Sequence, residues 1–86
     1  MEKPLLVNDI SRLTWACRRG MLELDVLLGN FLKNAYPDLS DEDKELFVKL
    51  LSQPDPDLFR WLLGSEVPQD SGMARMTDAI RRHARS

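Results

Sequence analysis

The stretch SDEDKELFVKLLSQPDPDLFRWLLG, residues 40–64, reads as two helices meeting at a proline-marked turn. Ser40 is a candidate N-cap, and Asp41, Glu42 and Asp43 fill the first turn, where negative charge complements the helix dipole. Asp43 stands three residues after Ser40 in a weak capping-box arrangement. Leu46, Phe47, Leu50 and Leu51 make an apolar stripe at helical spacing, with Glu45 and Lys49 outside it at i,i+4. Gln53-Pro54 closes this helix. Asp55-Pro56 then pairs a candidate N-cap carboxylate with proline at the first helical position. Leu58, Phe59, Leu62 and Leu63 repeat the stripe, and Gly64 is a natural terminator.

Working outward, the same period recurs on both sides. A helix from about Asp9 to Arg19, capped by Asn8 or Asp9, aligns Ile10, Leu13 and Cys17 on one face, with Gly20 as the break. A second, from about Met21 to Ala35, aligns Leu24, Leu27, Leu28, Phe31 and Ala35. Gly29 inside it costs about 1 kcal/mol relative to alanine, so a close contact is expected to use the missing side chain. Pro37 ends this helix by pushing Tyr36 out of the α region. Residues 66–69 read as loop. A last helix from Asp70 or Ser71 turns Met73, Met76 and Ile80 inward and ends in Arg81, Arg82, His83 and Arg85. No apolar/polar alternation is long enough for a strand. The reading is all-α, a compact five-helix bundle-like single domain over residues 1–86, with flexible ends at about 1–8 and 84–86.

Composition bounds what such a domain does. The chain has 86 residues, 43% hydrophobic and 30% charged, with a net charge of −2. That is globular composition with one modest core. The charge balance disfavours a dedicated nucleic-acid binder. No segment offers the ~20 apolar residues of a membrane span, and the N-terminus has neither signal nor transit character. One cysteine excludes an internal disulfide and suits a reducing compartment, and one histidine with one cysteine is too few soft ligands for structural zinc. A cytoplasmic protein is expected.

Catalytic chemistry finds little footing. Cys17 could be a nucleophile, but its place on an apolar face favours a small core residue. His83 could be a general base, but among arginines in a last turn a solvated, dipole-compensating role is favoured. The acids at 41–45 lack the spacing of a calcium loop. Between Pro37 and Asp57 seven acids face two lysines, and from Ser71 onward four arginines face Asp78. Helix-end compensation is the favoured account, with an acidic partner or nucleic acid as the minority reading.

The informative segment is Arg12 to Asp25. On a regular helix Arg12, Trp15 and Arg19 share a face opposite Ile10, Leu13 and Cys17. Trp15 then either forms an exposed contact hot spot among arginines or folds against the bundle edge. Arg19 and Glu23, four apart across Gly20, could pair on a continuous helix. Gly20 is either a positive-φ hinge or a bare spot that admits another backbone, and one glycine can be both.

WACRRGMLELD, residues 15–25, resembles the signature of the small SdhE family, the FAD assembly (flavinylation) factors of succinate dehydrogenase. Arg19, Gly20 and Glu23 match its RGxxE motif, and residues 39–42 and 55–62 also resemble that family, so the likeness covers about Arg12 to Leu63. The resemblance implies a five-helix fold and a chaperone-like, non-enzymatic role. It implies binding to the flavoprotein subunit of succinate dehydrogenase, and in bacteria that of fumarate reductase, promoting covalent attachment of FAD. It places docking at Arg19, Gly20 and Glu23, with Arg12, Trp15 and Arg18 extending the patch. On this reading the chain has no catalytic residue, no metal and no cofactor of its own, FAD belonging to the partner. A monomer in a bacterial cytoplasm is expected, with no nucleic acid and no membrane. The alternatives are an antitoxin-like protein-binding module, a helix-turn-helix DNA binder and, last, a small enzyme.

Overall fold

A computed structural model describes residues 7–85. Five α-helices follow in order: α1 (Ile10–Ala16), α2 (Leu22–Asn34), α3 (Asp41–Leu51), α4 (Asp55–Leu62) and α5 (Ser71–Arg85), with a 3₁₀ turn at Tyr36–Asp38. The expected all-α five-helix domain is the observed one. The expected loose ends fall largely at residues 1–6 and 86, outside the described residues, and α5 runs on through Arg85.

The caps explain the boundaries. Asp9, not Asn8, caps α1, its Oδ1 accepting the Arg12 N–H at 3.2 Å. Ser40 caps α3 through the Asp43 N–H at 3.2 Å, and Asp70 caps α5 through the Met73 N–H at 2.9 Å. Each satisfies a donor that the helix leaves unpaired. The fourth helix departs from expectation. Its N-cap is Pro54, without a side-chain cap bond, and Asp55 is its first helical residue. The Asp55 carboxylate is engaged elsewhere, by Arg19.

α5 is the organising element, packing on α2, α3 and α4, while α1 lies on α2. The stripes converge on one core of Leu13, Cys17, Leu24, Leu28, Phe31, Leu32, Tyr36, Phe47, Leu50, Leu51, Leu58, Leu62, Met73, Met76 and Ile80. An aromatic group sits at its centre. Phe47 stacks on Phe31 at 5.4 Å between centroids and meets Tyr36 at 5.2 Å. His83 sets its ring edge-on to Phe31 at 5.6 Å, so it is half-buried packing rather than the solvated terminus expected.

Several stripe residues lie farther out than their spacing implied. Ile10 is 50% exposed and Phe59 is 44% exposed. Both sit on short helices, of 7 and 8 residues, where a neighbour covers only the centre of the stripe. The first helix also stops at Ala16 rather than Arg19, because residues 18–20 leave the helical path toward a turn described below. Gly29 is another correction. A Cβ built there meets nothing within 4 Å, so no internal contact uses its bareness. Gly64, by contrast, is required by crowding, since a Cβ would lie 2.7 Å from the Arg60 carbonyl oxygen.

Three outcomes follow from this packing. Gly29→Ala is expected to stabilise by up to about 1 kcal/mol, by removing backbone entropy at a helical site with open space; a lowered thermal midpoint would contradict the open geometry. Thr77 is 3% exposed and its Oγ1 has no hydrogen-bond partner. Thr77→Val is therefore expected to gain about 1 kcal/mol, about 4–8 °C in a domain this small, read by thermal unfolding.

Alkaline pH is expected to unfold the protein early. Burial pushes the Cys17 thiol up from 9.0 to about 11, more than the nearby Arg19 charge pulls it down. Burial also raises the Tyr36 phenol, whose hydroxyl donates to the Val7 carbonyl at 2.6 Å. Both groups hold their protons more tightly when folded, so stability falls as pH climbs from about 9 toward 11. Denaturant midpoints at pH 7 and pH 10 should show the drop, and Cys17→Ala should lessen it.

Candidate functional site at the Gly20 turn

α1 and α2 are joined at a sharp corner. Gly20 has φ +81°, the sole positive φ among the described residues, a conformation in which any side chain is strained. Asp25, in the first turn of α2, reaches back and closes the corner. Its Oδ1 accepts the Arg19 N–H at 2.6 Å and its Oδ2 accepts the Gly20 N–H at 3.3 Å. One carboxylate thus satisfies two backbone donors outside any helix. Outward, Gly20 faces open space, with nothing within 4 Å of a built Cβ. It is both the hinge and the bare spot.

The motif arginine does not face the same way. The Arg19 side chain is only 15% exposed. Its Nε donates to the Ala16 carbonyl at 2.8 Å. Its Nη1 donates to Asp55 Oδ1 at 3.0 Å and to the Gln53 carbonyl at 3.3 Å, and its Nη2 donates to the Leu51 carbonyl. The guanidinium therefore lies between the end of α3 and the start of α4. A cation at a helix C-terminus and an anion at a helix N-terminus both complement the dipoles there. The ion partner of Arg19 is Asp55, not Glu23, because the chain turns at Gly20 before a continuous helical face can form.

The remaining expected site residues are exposed. Trp15 is 71% exposed, with the Arg18 guanidinium 5.2 Å from its ring centroid. That resolves the open question about Trp15 in favour of exposure. Arg12 is exposed and pairs with Asp9 at 3.4 Å. Glu23 is exposed in the first turn of α2, next to Leu22, which is 79% exposed. Leu22 and Glu23 line an open hollow of about 540 Å³ that continues over Val26 and Leu63 to Arg81 and Arg85. An exposed tryptophan under an arginine, with an exposed leucine at the start of the next helix, has the composition of a protein contact.

Spacing alone pointed to neither Asp25 nor Asp55 as a supporting residue. Asp25 carries a readable signal, an acid in the helix turn just after a glycine corner. Asp55 hid behind its proline, because Asp-Pro is also the signature of an N-cap.

The acid run and the arginine-rich helix meet at one arginine, Arg75. Arg75 on α5 pairs with Asp43 at 2.7 Å and approaches Glu42 at 3.8 Å, and Arg82 pairs with Asp78 at 2.9 Å. Cys17 is buried, and with its thiol at about 11 it carries almost no thiolate at neutral pH. Among the described residues no three His, Cys, Asp or Glu side chains cluster as a metal site. No helix of the described residues is long and apolar enough to cross a membrane.

Comparison with known proteins gives the chain a family. Residues 11–84 match the family model described as flavinator of succinate dehydrogenase. The FAD assembly factor SdhE of Shewanella oneidensis is 57% identical over 76 residues, 88% of this chain and 93% of that protein. The FAD assembly factor SdhE of Photorhabdus laumondii is 47% identical over 75 residues, 87% of this chain and 85% of that protein. The solution structure of a UPF0350 protein superposes with a TM-score of 0.75 at 40% identity, covering 93% of this chain and 85% of that one. By the match over residues 11–84 and these identities, the chain belongs to the SdhE family of FAD assembly factors, helpers of flavinylation rather than catalysts.

Proposed function

We propose that this chain binds the flavoprotein subunit of succinate dehydrogenase through the α1–α2 corner and promotes covalent attachment of FAD to that subunit. The flavoprotein of fumarate reductase is a second client on the same reading. The observation that carries the proposal is the open backbone at Gly20, held at positive φ with nothing covering it, in a chain that belongs to a family of FAD assembly factors.

The division of labour follows from chemistry. Forming the bond is work for the flavin and its host, and on this reading the helper contributes positioning. Gly20 lets a partner backbone approach closely. Glu23 and Arg18 offer charge-assisted contacts on either side of it, with Arg12 extending the cationic side. Trp15 supplies a rigid apolar anchor whose burial would strengthen every polar contact near it. Arg19 supports this surface from beneath.

Gly20→Arg is expected to keep the far-UV helical signal close to that of the unaltered chain while abolishing association with the purified flavoprotein subunit. It should also fail to restore covalent flavin fluorescence on that subunit in cells lacking the factor. Normal fluorescence with that variant would refute docking at Gly20. Trp15→Ala, at an exposed position, is expected to weaken binding by tenfold or more, about 1.4 kcal/mol, with the thermal midpoint nearly unmoved.

A further inference from the structure

The α1–α2 corner is secured from two sides by two carboxylates. Asp25 holds its backbone through the Arg19 and Gly20 N–H groups. Asp55 holds it through the Arg19 side chain, across 36 positions of sequence. We propose that Asp55 is a positioning residue for the flavoprotein contact, acting through Arg19 to hold the Gly20–Glu23 surface in the geometry that docks. This rests on the reading that Gly20 is the docking site.

Arg19 precedes Gly20 directly, so wherever its side chain is fixed, the entry to the corner is fixed too. The guanidinium has donors enough for the Ala16, Gln53 and Leu51 carbonyls as well as Asp55. The three carbonyls orient it, and the single anion in the set is Asp55. The Asp55 side chain is 42% exposed, so the pair on its own adds little to global stability. What it supplies is a fixed direction. Without the anion, the guanidinium is held by neutral acceptors alone, one of them at 3.3 Å, and can exchange them for water or for an acid on the surface. The corner would then sample geometries in which Gly20 and Glu23 no longer face a partner together. Sites held loosely by about 1 Å lose much of their effect.

The test uses full-length variants and the isolated flavoprotein subunit carrying non-covalent FAD, each measured well below its own melting midpoint. Asp55→Asn is expected to keep the fold and weaken binding by about tenfold, and Asp55→Glu, which keeps the charge, should recover most of the loss. Arg19→Lys keeps the cation without the branched donors and should lose affinity comparably. Combining it with Asp55→Asn should add little, since both act through one contact. Amide exchange at Gly20 should quicken in Asp55→Asn while core amides of α2 and α5 stay slow, which a purely stabilising role would not produce. Binding within twofold of the unaltered chain for either Asp55→Asn or Arg19→Lys, with Gly20→Arg unable to bind, would overturn the positioning role and leave docking at Gly20 standing. Normal binding by Gly20→Arg would remove the docking reading, and the positioning role with it.

Discussion

The half-buried guanidinium of Arg19 is the constraint on which the rest of this small protein turns. Its hydrogen bonds join α1, α3 and α4 through a single side chain. Removing an arginine from water is costly unless its donors are met. Here the Ala16, Gln53 and Leu51 carbonyls and the Asp55 carboxylate meet them. The end of α3 supplies a negative dipole end and α4 begins with an acid, so the sites that need a cation are adjacent.

Once Arg19 is committed inward, the next residue has to reverse the chain. Gly20 does so at φ +81°, and Asp25 satisfies the two N–H groups the reversal leaves unpaired. The exposed face follows from the same geometry. α1 ends early, Trp15 and Arg18 stay outside the core, and α2 starts with Leu22 and Glu23 in solvent. A five-helix core on its own demands none of these exposures. The apolar surface left at Trp15 and Leu22 is unfavourable for an isolated chain and becomes favourable only when another surface covers it.

How much of this could be read from residues alone depended on which interactions are local. Ser40 with its three acids marked the third helix, and the stripes of Leu24 to Phe31 and Met73 to Ile80 marked two others, because helical spacing and capping act within a few residues. The family signature from Trp15 to Asp25 located the corner. The direction of Arg19 was not legible. Its partners at Leu51, Gln53 and Asp55 are more than thirty residues away, and a motif written as Arg-Gly-x-x-Glu suggests that both charges serve the same contact. The same distance hid Asp55, whose neighbouring Pro56 made an N-cap the natural reading. Ile10 and Phe59 misled for a simpler reason, since a short helix lacks the length to bury a whole stripe.

Docking at the α1–α2 corner is open to a direct check, the hydrogen-exchange footprint of the flavoprotein subunit on this chain. Protection should appear from Thr14 to Val26 and leave α3 and the acidic start of that helix unchanged. Protection centred on α3 or α4, with the amides around Gly20 exchanging as fast as in the free protein, would contradict it.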